Sequence, residues 1–278
     1  IHALSGTHKI KCLLRKSPKS TFPNCEIILG DLLNYESLLK ATDGVDTIRH
    51  LAGVISSKDP ECFAQVNVKG MENLVNASIK NNVKKIIFTS SGSVTFGQDP
   101  YTLSKEKAEK ILIASGLKSI ILRPAEIYGQ GDNKGINSLI NVVRNFPVIP
   151  IIGKGDYTLQ PVYIDDIIYA IMQFINLEFE NYRIYNIAGP SALTFNNVID
   201  TISQCLGIKR FKFHIPIFLA MLIAIILENI SSKPFINRDQ VSRITTPDKQ
   251  WDLTKIIKDI NFHPLSFREG IKKIISTL

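Results

Sequence analysis

In the run YTLSKEKAE, Tyr101 and Lys105 stand four residues apart. On a helix that spacing puts both side chains on one face, the phenol one turn from the ammonium. A free phenol has a pKa of about 10 and is a poor acid–base group at neutral pH. A neighbouring cation favours the phenolate and lowers that value, which is what proton exchange with an alcohol or a ketone requires. By itself the pair is common, and a surface helix with a half-buried tyrosine would carry it too. Shortly upstream, KKIIFTSSGSVTFG reads as a strand whose carboxyl end holds Ser90, Ser91 and Ser93. Hydroxyls at that end of a central parallel strand face the ligand crevice. A serine there can hydrogen-bond a substrate oxygen while Tyr101 exchanges its proton. Without the Tyr–Lys pair nearby, the same serines would read as a polar strand-to-loop turn.

These groups need a frame, and the hydrophobic pattern supplies one. Short β-rich runs alternate with helical stretches, which signals a parallel sheet with crossover helices. The strand candidates are Ile10–Leu14, Glu26–Leu29, Asp46–Leu51, Lys85–Thr89, Ile120–Arg123 and Ile184–Ala188. Between them, Phe63–Ile79 repeats its apolar residues at three- and four-residue steps, and Tyr101–Ala114 does likewise. After Gly189 the alternation stops, and a helical, loop-like part punctuated by Pro216, Pro234, Pro247 and Pro264 follows. The expected class is therefore α/β, a Rossmann-like doubly wound parallel sheet with a smaller, mainly helical substrate lobe. Residues 1–124 and 162–189 are assigned to the dinucleotide-binding part, and 125–161 and 190–278 to the lobe. Such a sheet normally opens with a strand and a Gly-rich turn whose amides approach a pyrophosphate. No such pair precedes Lys9, so the chain is read as N-terminally truncated, with its first strand and phosphate turn missing.

At 278 residues the chain can bury a large core and suits one domain or two closely joined ones. Its formal charge of +8 would favour an anionic ligand, although scattered lysines are ordinarily a solvated surface. No nucleic-acid motif accompanies them, and no nucleic-acid partner is expected. Four cysteines, Cys12, Cys25, Cys62 and Cys205, lie far apart without a C-x-x-C pair. No metal is expected, and a cytoplasmic setting follows from the unpaired thiols. One uncharged apolar run, Ile215–Leu227, is shorter than the ~20 residues of a spanning helix. A buried helix is the first reading and a helix touching a membrane surface the second.

Taken together, these motifs resemble the extended short-chain dehydrogenase/reductase family, the NAD-dependent epimerase/dehydratases, along essentially the whole chain. The family's YxxxK motif is Tyr101 and Lys105. GDLLNYESLLKATDGVD contains Asp31 and Leu32, which would border an adenine. HLAG supplies Leu51, Ala52 and Gly53 after the next strand, and VNVKGMENLVNA carries Asn67. LRPAEIYGQGD, PVYIDDI with Tyr163 in place of the usual His, YNIAG and the DQV at Asp239 also fit. The resemblance implies that Tyr101 is the general acid/base and that Lys105 lowers its pKa and binds the nicotinamide ribose. Ser91 would orient the substrate oxygen, with Ser90 and Ser93 as alternatives because the loop is one residue longer than usual. Thr89 and Pro124 would lie along the cofactor, and Glu126, Ile127 and Arg238 would face the substrate.

Departures from the pattern narrow the chemistry. The 4,6-dehydratases place an Asp-Glu pair directly after the substrate-binding hydroxyl, whereas Gly92 and Ser93 follow Ser91 here. Many nucleotide-sugar members hold the diphosphate with an arginine at the position of Leu159, a charge-assisted contact this chain lacks. The second strand ends in Arg15 and Lys16 with no acid, which suits the 2′-phosphate of NADP better than the bare ribose of NAD. The expected function is an NAD(P)-dependent reductase or epimerase, with a nucleotide sugar as first substrate. A dehydrogenase for an apolar, sterol- or flavonoid-like alcohol is the alternative within enzymes. A non-catalytic dinucleotide-holding subunit is the alternative outside them, although Ser91, Tyr101 and Lys105 are all retained. Homodimerisation is a family-level expectation.

Overall fold

The computed structural model describes residue 6 and residues 8–18, 22, 24–131, 135–230, 241 and 250–277. The chain divides into two packing units. One comprises Ile1–Pro124, Ile167–Ile187 and Leu253–Phe262; the other comprises Ala125–Asp166, Ala188–Asp252 and His263–Leu278.

The first unit is built on a parallel sheet in the order Tyr182–Ile187, Ser119–Pro124, Lys85–Thr89, Thr47–His50. Its two central strands are apolar on successive residues because helices cover both faces. Ile86, Ile87, Phe88, Ile120, Ile121 and Leu122 are accordingly sealed from solvent. A separate parallel pair joins Ile10–Leu14 to Cys25–Leu29. No described strand pairs with the second edge of Ile10–Leu14 or of Thr47–His50. Leu13 and Ile48, one from each sheet, nevertheless pack on a shared cluster of Leu32, Leu38, Leu74 and Ala77. The helices Tyr35–Thr42 and Gly70–Lys80 provide most of that cluster. The Ile10–Leu14 pair also brings together two cysteines that the sequence separates, Cys12 and Cys25, with their sulfurs 3.1 Å apart. Burial pushes the Cys12 thiol up to about 11.

The helix Pro100–Ala114 begins where the chain dictates it should. Asp99 caps it by accepting the Thr102 amide, and Pro100 opens its first turn, where a missing N–H has no cost. Its Ala108 and Leu112 pack on Ile86, Phe88 and Ile121 of the sheet, with Met71 and Val75 completing the cluster. Glu109 is buried on the same helix and forms a two-point ion pair with Arg123, at 3.1 and 2.5 Å. That pair fixes the helix against the Ser119–Pro124 strand. On the other side, Lys85 reaches the end of the helix Ile164–Asn176 and donates to the carbonyls of Phe174, Ile175 and Leu177. Those acceptors have no partner within a helix end, and a cation is favoured there.

In the second unit, Tyr128, Ile140, Val143, Ile149, Ile151, Val198, Ile202 and Ile271 form the centre of the core. The expectation of helices and loops after Gly189 needs correction. Leu193–Thr194 pairs antiparallel with Thr158–Leu159, and Phe211–Ile215 pairs parallel with Val148–Ile152. The second pair is hard to read because Pro150 interrupts one of its strands, which only an edge position tolerates. The apolar run also departs from the first reading. Its helix, Ile217–Ile230, buries Ala220 and Ala224 but leaves most of its large side chains in solvent. No helix among the described residues is long and apolar enough to cross a membrane.

The helix Pro100–Ala114 is thus seated on the sheet chiefly through Ala108, Leu112 and the Glu109–Arg123 pair. Truncating Leu112 to Ala should cost about 2–5 kcal/mol, the range for a fully buried leucine whose cavity cannot collapse. Denaturant unfolding of the variant against the parent chain measures this.

Candidate active site

The site gathers at the carboxyl ends of the strands Lys85–Thr89 and Thr47–His50. Lys105 lies one turn after Tyr101 on the helix Pro100–Ala114. Its Nζ donates to the Thr89 carbonyl at 2.8 Å and sits 4.5 Å from the centre of the Phe88 ring. A buried ammonium needs such partners, one accepting a hydrogen bond and one presenting a negative π face. Burial still brings its pKa down to about 8, an effect the Glu109 carboxylate partly offsets. The Tyr101 ring packs edge-on against Phe63 at 6.2 Å.

A second set of contacts ties the HLAG loop to the same helix. Asn67 is buried in a π-helical stretch, Ala64–Lys69, that interrupts the helical run before Gly70. Such irregular turns are frequent at functional sites. Its side chain accepts from the Val54 amide at 2.8 Å and donates to the Val54 carbonyl and to Ser104 Oγ, both at 2.9 Å. Ser104 in turn donates to the Tyr101 carbonyl at 2.6 Å. A Cβ on Gly53 would stand 3.0 Å from Asn67 Oδ1 and 3.9 Å from Lys105 Nζ. A larger residue there would crowd Asn67, which would have to give by a few tenths of an ångström. Leu51, Ala52 and Gly53 themselves are exposed.

Of the three candidate serines, Ser90 is buried and its hydroxyl has no hydrogen-bond partner, as is also true of Thr89 Oγ1. Ser91 and Ser93 are partly open, with their hydroxyls 2.9 Å apart. Ser91 also caps the short turn Gly92–Thr95 by accepting the Ser93 amide. Ser93 continues to Thr102 Oγ1 at 2.9 Å, and Thr102 reaches Asp99 Oδ2 at 2.7 Å. This line of polar groups joins Ser91 to the helix turn that carries Tyr101. Sequence reasoning missed Asp99, Thr102 and Ser104. The Asp-Pro of DPYT was the available clue, since it is an N-cap followed by a first-turn proline.

The remaining candidates are less concentrated. Leu32 is a core residue, so what it offers outward is backbone; its carbonyl already accepts from Asn73. Asp31 folds back on its own turn, accepting the Leu33 amide at 2.9 Å. Arg15 is exposed just past its strand, and Pro124 is buried opposite Ile187. In the second unit, Glu126 pairs through its carbonyl with the Val162 amide, and its Oε2 is buried without a partner. Ile127 lies in the short strand pair with Val162, next to Tyr163 and Tyr128, whose rings meet at 5.4 Å. Arg238 lies outside the described residues.

The residues present fit a dinucleotide's nicotinamide end. The Thr89 hydroxyl is left without a protein partner at a strand end, Gly53 leaves room beside Asn67, and Lys105 holds a cation at the same place. Lys105, Thr89 and the Leu51–Gly53 backbone would hold that group.

Comparison with known proteins places this arrangement. The profile of the NAD dependent epimerase/dehydratase family matches residues 2–188, and the chain belongs to that family. It is 25% identical to 3beta-hydroxysteroid-dehydrogenase/decarboxylase isoform 1 of Arabidopsis thaliana, over 91% of this chain and 66% of that protein. It is 26% identical to the N-acetyl-alpha-D-glucosaminyl-diphospho-ditrans,octacis-undecaprenol 4-epimerase of Escherichia coli O157:H7, over 89% and 82%. The chain spans only about half to two thirds of the hydroxysteroid relatives it matches. Among solved structures, MoeE5 in complex with UDP-glucuronic acid and NAD shares the fold with a TM-score of 0.78 at 20% identity, covering 99% of this chain and 92% of that one.

His50 completes the site from beneath. It is buried, stacked on Phe88 at 5.3 Å, and burial with repulsion from Lys105 lowers its pKa to about 3. Between that value and the ordinary 6.5, the unfolded chain takes up a proton that the folded chain refuses. Stability should therefore fall as the pH drops from about 6.5 toward 3, by up to about 1.4 kcal/mol per pH unit from this residue. Melting curves of His50→Phe should lose that component; an unchanged acid slope would contradict it.

Proposed function

We propose that this chain interconverts a secondary alcohol and its ketone with an NAD(P) cofactor. In this reading the Tyr101 hydroxyl takes the alcohol proton or returns it to the ketone. Lys105 holds positive charge one helical turn away and so favours the phenolate. Ser91 holds the substrate oxygen, its own hydroxyl steadied by Ser93. When bound, the nicotinamide supplies the hydride acceptor or donor. The observation that supports this reading best is the buried Lys105 ammonium. A charge is costly there, and it is kept at the one place where it could tune a phenol on the same helix.

For the substrate, the observations favour an apolar alcohol. Leu159 is half-buried against the second unit's core, at the position where the family's nucleotide-sugar pattern has an arginine. The similarity to hydroxysteroid dehydrogenases supports the same class. A nucleotide sugar is the second reading, supported by the likeness to the undecaprenol-linked sugar epimerase. Assays with a 3β-hydroxysteroid and with UDP-glucose, each with either cofactor, separate the two. Tyr101→Phe and Lys105→Met should each lower kcat by about 10²–10⁴, the range for losing general acid–base catalysis. Undiminished turnover in Tyr101→Phe would overturn the mechanism.

Arg15, exposed at the end of its strand with Lys16 beside it, supports NADP as the preferred cofactor. Arg15→Glu should weaken NADPH binding by about tenfold or more, as loss of a charge-assisted phosphate contact does, and leave NADH binding little changed. Calorimetric titration with both reads this directly.

A further inference from the structure

The second unit carries two neighbouring elements that present apolar residues to solvent. In the strand pair Val148–Ile152 and Phe211–Ile215, side chains alternate between faces. Ile149 and Ile151 point into the core and are sealed, at 1% and 0% exposure. The other face pairs Phe211 with Val148 and Phe213 with Pro150. Phe211, Val148 and Phe213 on that face are 67%, 47% and 56% exposed. A sheet covered on one side ordinarily turns polar residues outward on the other.

Directly after Pro216 comes the helix Ile217–Ile230, whose first eleven residues contain no polar side chain. It is turned inside out relative to a surface helix. The small residues Ala220 and Ala224, one turn apart, face the body of the unit against Ile152, Ile215 and Val241. Ile217, Phe218, Leu219, Leu222, Ile225, Ile226 and Ile230 are exposed. A helix that is apolar all round is normally surrounded by apolar material, and a patch of this extent marks an interaction surface.

Exposed basic side chains stand at both ends of the strand pair. At the junction of strand and helix, a cavity is lined by Lys154 and His214 together with Ile215, Ile217 and Phe218, with Asp156 as its one acid. At the other end of the strand pair, exposed Lys209 and Arg144 flank Phe211 and Phe146. There Arg210 is held in place by donating to the carbonyls of Val143 and Arg144. Lys212, on the inner face of the strand, is neutralised by Asp200 at 2.8 Å. Lys212 and His214 alternate onto the same face of the strand and both have partners, His214 at the Gly153 carbonyl 3.0 Å away, whereas Lys154, Lys209 and Arg144 are exposed at the margin of the apolar face.

From this arrangement we propose that the Phe211–Ile215 strand and the Ile217–Ile230 helix dock the protein on an anionic lipid surface. The apolar side chains enter the acyl boundary, and Lys154, Lys209 and Arg144 meet the headgroups. The helix lies along the surface and does not cross the bilayer. Apolar burial alone would suit a second copy of the chain equally well, but a basic margin on both copies would repel in such a contact. The proposal is independent of the substrate reading, because its test needs no turnover.

The test is flotation of the full chain with phosphatidylcholine vesicles, with or without about one-third phosphatidylglycerol, the anionic fraction that draws basic margins to a surface. The chain should float with the anionic vesicles and at least about fivefold less with the neutral ones. A Phe218→Ser/Leu222→Ser/Ile226→Ser variant alters exposed positions only and should keep its melting temperature while losing flotation. Lys154→Ala/Lys209→Ala should reduce the preference for anionic vesicles and leave the fold intact. Failure of the parent chain to float with either vesicle would overturn the proposal. So would a concentration-dependent dimer, dissociated by the serine variant, in a chain that ignores lipid.

Discussion

One buried positive charge organises the first unit. The Lys105 ammonium has left water, and the interior compensates it with a backbone carbonyl, an aromatic face and the field of Glu109. Each of those partners belongs to a different constraint. Thr89 and Phe88 require the Lys85–Thr89 strand to end where it does, and Glu109 requires Arg123 from the next strand to neutralise it. His50, one strand further, must stay neutral to lie beside the same cation. Weakening any of them leaves a charge in the core that a domain of ordinary stability tolerates poorly.

From that charge the rest of the site follows by short steps. The helix that delivers Lys105 also delivers Tyr101 and Ser104, and Ser104 links to Asn67 in the π-helical stretch. Asn67 then fixes the loop after Thr47–His50 by bonding both polar atoms of Val54. On the other side, Asp99 and Thr102 extend the first turn of the same helix to Ser93 and Ser91. The polar groups thus form two chains that meet at one helix N-terminus. Rigid positioning of this kind is what lets weak acids and bases act at neutral pH.

The second unit shows a different economy. Its core is conventional, with Tyr128, Tyr163 and Phe267 packed around Ile140 and Ile271. Its apolar helix, however, uses alanines as its contact face and turns its largest side chains outward. Small residues allow the helix to approach closely, while the exposed ones add nothing to folding.

Periodicity alone located the six parallel strands described in the first unit to within a residue or two, because each is a short apolar run bounded by turn residues. Spacing also placed Tyr101 and Lys105 on one helix face, and the family motifs extended that to Asn67 and Gly53. These are local properties, fixed by how far apart residues stand along the chain. The partners of Lys105, the choice between Ser90, Ser91 and Ser93, and the role of Thr102 depend on contacts between segments remote in sequence. The same is true of the Cys12–Cys25 contact and of the Phe211–Ile215 pairing across Pro150. An apolar run looks alike whether it is destined for a core or for a surface. Only packing decided that Ala220 and Ala224 would turn inward and the large residues outward, because burial depends on what lies opposite a side chain, and a sequence does not state that.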